Sequence, residues 1–589
     1  MNRLFSGLRF GPPRGRNVLL LLALVAVFLL SLRAWGPLAS RGYLGTHDYG
    51  FVPMVMFEMD KCFQDGQFPC RWVPDLQKGY GSPIFIYLPP LPYYAGELIH
   101  LGGVEFLNTI KVLYIIGFVL SALFMFLLAR EFWGMLGGMV AAVFYVYAPY
   151  HAVDVYVRGS MNEHWALAFF PAVLWGIYKV IEEGKPVYVL LLALFVSALL
   201  LSHGPTIVIL FPLAVVWVVA FLLMSRQWER LAHLTIAAGG GFGMAAYFTL
   251  PALLEQDFVQ IEAVKTGFFY YANHFPTMEQ LFLTRFWGYG DSRVGDGDLM
   301  SFQIGWLHWG LTAVSILIAP FLWRMSRTAF LAVVVIVAFF WGSVFMMHPR
   351  SDFLWQTFTW LQWLQFPWRF LSLTIFTSSF LAGAILLLAN KRPYLRLLLS
   401  IALIGAVIGF NQEFFHFGQR IYGGDEAFFV GDPRGYQIEA PSYTHPAYAA
   451  VQPSQPAAAE VQVLGGDADI TQVARGSASL AFAVRSTSGA RLRTSVVYFP
   501  NWRVKVDGKT IPHDHANELA AISFYVPQGS HDVKLSLEDT ALRTFSNYLS
   551  LAAWALFTIG AAALAGRPAW SALANAVAAR ARPTSPRGE

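Results

Sequence analysis

Apolar residues run through this chain in long blocks, and polar residues gather between them. A helix that crosses a bilayer needs roughly 20 mostly apolar residues. By that measure about twelve blocks qualify. They lie near 17–35, 108–130, 134–150, 165–182, 186–203, 205–224, 232–250, 304–323, 329–347, 369–389, 394–410 and 546–566. The region 186–224 is broken only by Ser202-His203-Gly204-Pro205 and reads as two short spans or one kinked unit.

The pattern changes after residue 410. Short alternating runs appear: "VQVLGG", "ASLAFAV", "RTSVVYF", "WRVKVDGK", "AISFYVP" and "HDVKLSL". Turn pairs such as Asp507-Gly508 and Gln528-Gly529 separate them. Alternation with such turns predicts antiparallel strands that bury one face. The expected fold is an α-helical polytopic membrane protein with a C-terminal β-sandwich domain. Residues 1–410 form its transmembrane part, 411–545 the β-domain, and 546–589 a final span with a basic tail. Residues 440–458, "APSYTHPAYAAVQPSQPAAA", predict an extended or flexible strip.

The connection 36–107 has structure of its own. "FVPMVMFEMDKCFQD" (51–65) spaces apolar residues as an amphipathic helix does, which predicts a helix along the membrane surface. Pro and Gly break up the stretch that follows. Residues 83–103 are apolar but carry Pro83, Pro89, Pro90 and Pro92, which predicts a partly inserted or surface-bound segment.

Composition and charge narrow the class. The 589 residues are 56% hydrophobic and 13% charged, which excludes an ordinary soluble globule. Arg3, Arg9, Arg14 and Arg16 precede the first block, and Arg130, Lys185, Arg226, Arg230, Arg324, Arg327, Lys391, Arg392 and Arg396 fall in every second connection. Positive residues favour the cytoplasmic side, so both termini are expected there, with 36–107, 251–303, 348–368 and 411–545 outside. The net charge of +5 then reflects topology, and no nucleic-acid partner is implied. The first block is long, lacks a clean cleavage site and ends at Arg33 and Trp35, so it reads as an uncleaved span. Cys62 and Cys70 share the first outer connection. An oxidising compartment allows them to pair; the other reading is two buried thiols.

No phosphate-binding loop, nucleophile elbow or zinc pattern occurs. The informative residues are charges at the outer ends of spans, where burial is expensive and charge tends to be functional. His47-Asp48, in "LGTHDYGF", is the first set. Asp48 reads as a general base or metal ligand, or as the cap of the helix behind it. Arg158, Glu163 and His164 follow in "DVYVRGSMNEHWALAF". Arg158 suits a phosphate clamp, while Glu163 and His164 suit a metal or proton relay. The alternative is anchoring, with Ser160 or Asn162 capping the next helix. Arg369, in "WLQWLQFPWRFLSL", opposes the charge rule and calls for an anion or for snorkelling; Gln365 beside it is a candidate cavity residue. Asp296-Gly-Asp298 has an Asp-x-Asp form but also suits a plain turn. Lys265, His274 and Glu279 are further candidates for substrate contact, and His203 reads as a polar connector.

An acidic residue soon after the first span, then a surface helix and many spans, resembles class C (GT-C) glycosyltransferases. More closely, "GYGSPIFIYLPPLPYY", "YVRGSMNEHWALAFFPAVLW", "LLLSHGPT", "LPALLE", "FWGYGDS…MSFQIGW" and "LQFPWRFL" resemble the bacterial membrane family labelled as related to pyruvoyl-tetrahydropterin synthase. No pterin chemistry is implied by these residues. "VVYFPNWRVKVDGK…VPQGSHDVKLSLEDT" is similar to the outer domain of large bacterial proteins of envelope glycosylation. The resemblance implies a GT-C-like, inverting glycosyltransferase of the bacterial inner membrane. It would use a polyprenyl-phosphate-linked sugar donor and an envelope polysaccharide, lipid or protein acceptor. Asp48 would be the base or a metal ligand, tuned by His47, and Arg158 and Arg369 the donor-phosphate contacts. A divalent cation, Mg or Mn, would be held by Asp48, Glu163 and His164; the His-Asp pair replaces the paired acids common in that class. The competing expectations are a transporter or flippase of lipid-linked sugars, and a scaffold of envelope assembly.

Overall fold

The computed structural model describes residues 13–293, 297–429 and 441–580. Ten helices among them are long and apolar enough to cross a membrane. Two features account for the difference from the twelve blocks of the sequence. Residues 108–130 and 134–150 join in one element, Phe106–Val146, interrupted at Gly134. Gly134 has φ 72° and ψ −179°, a pair that only glycine adopts easily, and the helix breaks there. The second feature is Pro186–Leu200, an apolar helix of 15 residues, short for a span.

The spans Met161–Glu183 and Pro367–Ala389 lie in the middle of the bundle: 94% and 89% of their apolar windows are buried in protein. Ala541–Gly566 lies at its edge, with 6% buried. The central helices carry polar groups at their ends, where neighbouring protein satisfies what lipid would not.

The β-domain holds eight strands after a linking pair. The pair is β1 (Tyr43–Gly45) with β2 (Gln419–Ile421), antiparallel, with Tyr43 opposite Ile421. The domain contains β3 (Val461–Gly466), β4 (Asp469–Gly476), β5 (Ser479–Ser486), β6 (Ala490–Val497), β7 (Trp502–Val506), β8 (Lys509–Ile511), β9 (Ala521–Val526) and β10 (Gly529–Leu537). One antiparallel sheet has the order β4-β5-β10-β7-β8 and the other β3-β6-β9. Leu480, Phe482, Val504 and Leu535 of the first share a core with Leu492, Ile522 and Phe524 of the second.

Much of the first long connection packs against protein. The helix Phe51–Gln64, expected on the membrane surface, buries Val52 to Met56, Glu58, Asp60 and Cys62. It lies between Leu91–His100 and Phe106–Val146, so its charged face meets protein. The proline-rich stretch forms two short helices, Ile84–Tyr87 and Leu91–His100, the first with Ile84, Phe85 and Ile86 buried. Trp72 enters the β-domain core edge-on to Trp502 at 5.4 Å, and Val497 N–H donates to Tyr80 O at 3.0 Å. Cys62 and Cys70 are both buried and not bridged in this structure; Cys62 Sγ lies 3.6 Å from Trp72 O.

Candidate active site

Asp48 is set in place by main chain. His47 N–H donates to Val157 O and Asp48 N–H to Arg158 O, each at 3.0 Å. These bonds join the loop after β1 to the turn Val153–Arg158. That turn is π-helical, a wide turn that recurs at functional sites, and all six of its residues are buried. It ends at Gly159, with φ +69°. A Cβ there would fall 2.2 Å from Thr46 Oγ1. Tyr114 donates to Gly159 O at 2.6 Å from the other side. Gly159→Ala should therefore destabilise the protein by more than the roughly 1–2 kcal/mol of a left-handed alanine. Adding Thr46→Ala should recover the clash but not the backbone part, measured as a double-mutant cycle of melting temperatures.

Asp48 does not cap the helix behind it. Gly50 is the N-cap of Phe51–Gln64, and no side chain caps it; Asp48 supplies only its carbonyl, to Val52 N–H at 3.2 Å. Its carboxylate has no hydrogen-bond partner among the described residues. Burial pushes that carboxyl up to about 6, against the pull of Arg158 and Arg369.

Arg158 is the hub. Its Nη1 donates to Asp154 Oδ1 (2.6 Å), Glu163 Oε2 (2.8 Å) and Tyr150 Oη (3.2 Å). Tyr150 in turn donates to Glu163 Oε1 at 2.6 Å. The guanidinium carbon lies 4.8 Å from the Trp368 ring centre. Arg369 Nε lies 3.7 Å from the same Glu163 Oε2. Burial, then Glu163, holds the Asp154 carboxyl well above the usual range.

A strained turn aims Arg369. Gln365 has φ 63° and ψ −48°, and Phe366 N–H donates across it to Leu364 O at 2.7 Å. This is a γ-turn of the rare positive-φ kind. It offers Leu364 O and Gln365 Oε1 to Arg369 Nη1, at 2.8 and 3.0 Å. Both arginines spend Nη1 on these contacts, and neither Nη2 is hydrogen-bonded among the described residues. Each side chain is 10% exposed. Gln365→Gly should relieve strain on the order of 1–3 kcal/mol while removing a hydrogen bond of similar size. The melting temperature should stay near wild type while Arg369 loosens, read as a rise in donor KM.

Several expected residues sit elsewhere. His47 turns toward the 285–293 loop, with Nε2 at 3.1 Å from Tyr289 O and 4.0 Å from Asp291, so it does not hydrogen-bond Asp48. His164, one residue on from Glu163, is rotated about 100° around the helix. It hydrogen-bonds Tyr114 O at 2.9 Å and lies against Phe118, at 4.7 Å. Asp48, Glu163 and His164 therefore do not fit as a cation's ligands, a correction to the sequence expectation. Both Glu163 oxygens are already engaged by Tyr150 and Arg158, and no His/Cys/Asp/Glu trio among the described residues is placed to hold a metal. Ser160 caps nothing with its side chain, and Asn162 instead ties Pro89 O (2.7 Å), Ser202 O (2.8 Å) and the Tyr93 hydroxyl (2.9 Å). Lys265 pairs with Glu262, and His274 with Ser292 and Phe268 O. Asp298 accepts from Gln280 and from Arg293 N–H, as a turn residue does; Asp296 lies outside the described residues.

Sequence reasoning missed Tyr150, Trp368 and Tyr443. Aromatic residues are so frequent in this chain that nothing local marks these three.

No family model matches the chain, and no curated protein does. Among solved structures it is similar to the Archaeoglobus fulgidus oligosaccharyltransferase. In its complex with Zn and sulfate the identity is 13% and the TM-score 0.39, over 69% of this chain and 54% of that one. Tethered through a disulfide bond to an acceptor peptide containing the NVT sequon, it gives 14% and 0.41, over 68% and 55%. The chain spans about half the length of the structures it matches, and a likeness this distant carries no argument about the site.

Proposed function

We propose that this protein is a membrane glycosyltransferase. It moves a sugar from a polyprenyl-phosphate-linked donor to an envelope acceptor on the outer face of a bacterial inner membrane, with both termini cytoplasmic. One observation carries the reading. A carboxylate without a hydrogen-bond partner, titrating near 6, faces two arginines that each keep a terminal nitrogen unpaired. Such a set supplies a base and an anion clamp together.

The acceptor oxygen attacks the anomeric carbon as the bond from that carbon to the phosphate oxygen breaks. The acceptor proton passes to an Asp48 carboxylate oxygen. The electron pair leaves with the phosphate, whose charge is met by Arg158 and Arg369. Attack opposite the leaving group inverts the anomeric centre. His47 orders the 285–293 loop beside the site. The residues present do not make a metal cage, and no step is assigned to a cation.

A transporter of lipid-linked sugars would use the same arginines but has no need of a base. Purified protein in liposomes, given a labelled polyprenyl-phosphate sugar and an envelope acceptor, should form labelled product. Movement of the lipid-linked sugar across the bilayer without product would favour transport and defeat this proposal.

A further inference from the structure

The strip expected to be extended or flexible is, in its described part, tied down. Gln260 N–H donates to His445 O and Ala447 N–H to Phe258 O, both at 2.9 Å, and Ala450 N–H to Glu518 O at 2.8 Å. Gln260 Nε2 adds a bond to Ala449 O at 3.0 Å. Thr444, His445 and Pro446 are buried. Through these bonds the strip links the 251–303 connection to the β-domain. Just upstream, the single turn Ser442–Thr444 packs on Ile261–Lys265. It sets the Tyr443 ring 6.5 Å from that of Phe269.

Phe269 in turn lies 6.1 Å from the Phe366 ring, and the Arg369 guanidinium sits 5.1 Å from that same ring, so the contacts run from Tyr443 to Arg369. The Tyr443 phenol is within electrostatic range of Arg369 and Asp48, and of Tyr93 behind them. It has no hydrogen-bond partner among the described residues. Burial pushes its hydroxyl up to about 12, so it stays protonated across the physiological range. A partly buried phenol gains most from an acceptor partner, and an anionic oxygen is the strongest one. Arg158 and Arg369 each keep Nη2 without a hydrogen-bond partner among the described residues.

We propose that the Tyr443 hydroxyl donates a hydrogen bond to a phosphoryl oxygen of the lipid-linked donor, beside Arg369, so that the strip roofs the site and the β-domain holds a donor-binding residue in place. The inference rests on the donor class given under Proposed function.

The test measures binding of polyprenyl monophosphate, and of the uncharged polyprenol of equal chain length, to the full chain in nanodiscs. Tyr443→Phe keeps the ring and its packing, and matching melting temperatures confirm the fold. Wild type should prefer the phosphate, and Tyr443→Phe should weaken that ligand about tenfold, the size of one hydrogen bond to a charged group, with polyprenol unchanged. Equal phosphate binding by the two proteins overturns the assignment to Tyr443 and leaves the donor class intact. Equal loss of both ligands also overturns it, since the ring alone would then matter. A wild type with no preference for the phosphate overturns the donor class and this inference together.

Discussion

Asp48→Asn should remove sugar transfer while leaving the protein folded. General-base catalysis contributes about 10²–10⁴-fold, so kcat should fall by that factor with little change in donor KM. The substitution keeps the shape of the side chain and every main-chain bond that positions it. It should also stabilise the protein slightly. The carboxyl sits at about 6 in the fold against an ordinary 3.8, so its charged form is disfavoured by folding. Stability is therefore lost as pH rises from about 4 to about 6, and the asparagine protein escapes that loss. In the wild type, the transfer rate should climb through pH 6 and level off above it, because only the ionised carboxylate accepts a proton. Arg369 pulls the Asp48 value down. Arg369→Gln should shift the ascending limb to higher pH, and Arg369→Lys should largely keep it in place. Transfer by Asp48→Asn at the wild-type rate would exclude Asp48 as the base.

Much of the fold was legible because lipid imposes a coarse rule. A run of about 20 apolar residues has few alternatives to a span. The interruption at Gly134 was visible as the gap between two such runs. In the β-domain, the alternating runs are β3, β5, β6, β7, β9 and β10. β4, "DITQVARG", escaped notice because it is an edge strand with little burial on either face, so no alternation marks it. The helix Phe51–Gln64 showed its period but not its neighbours, and an amphipathic pattern does not say whether lipid or protein covers it.

The site was half legible for the same physical reason. Asp48, Arg158, Glu163 and Arg369 stand out because buried charge at span ends is expensive. Their convergence depends on features that no period encodes. One is a π-turn that widens the backbone ahead of Arg158. Another is the γ-turn at Gln365 that aims Arg369. The third is the strip that returns Tyr443 from 395 residues beyond Asp48, counted from 443 and 48. His47 and His164 are adjacent in sequence to Asp48 and Glu163, yet neighbouring side chains point in different directions, about 100° apart per residue in a helix.

Glu163 is the residue on which the arrangement stands, and Glu163→Gln should be the most destabilising conservative change in the membrane part. Its carboxylate is the shared anion of Arg158 and Arg369, and it accepts from Tyr150. Removing one partner of a buried ion pair typically costs about 3–5 kcal/mol, because the surviving charge stays in a poor dielectric. Arg158 would keep only Asp154 as a carboxylate partner, and Arg369 would keep only the Leu364 and Gln365 oxygens. Tyr150→Phe removes two hydrogen bonds and no charge, so it should cost about 1–3 kcal/mol. The two variants therefore separate charge from packing. A second consequence concerns the donor. An anion that binds between Arg158 and Arg369 replaces part of what Glu163 supplied, so polyprenyl phosphate should raise the melting temperature of Glu163→Gln more than that of wild type. Melting in detergent, with and without polyprenyl phosphate, measures both effects. A Glu163→Gln protein as stable as wild type, and stabilised no further by the lipid phosphate, would mean that the two arginines do not depend on this carboxylate and that the anion site lies elsewhere.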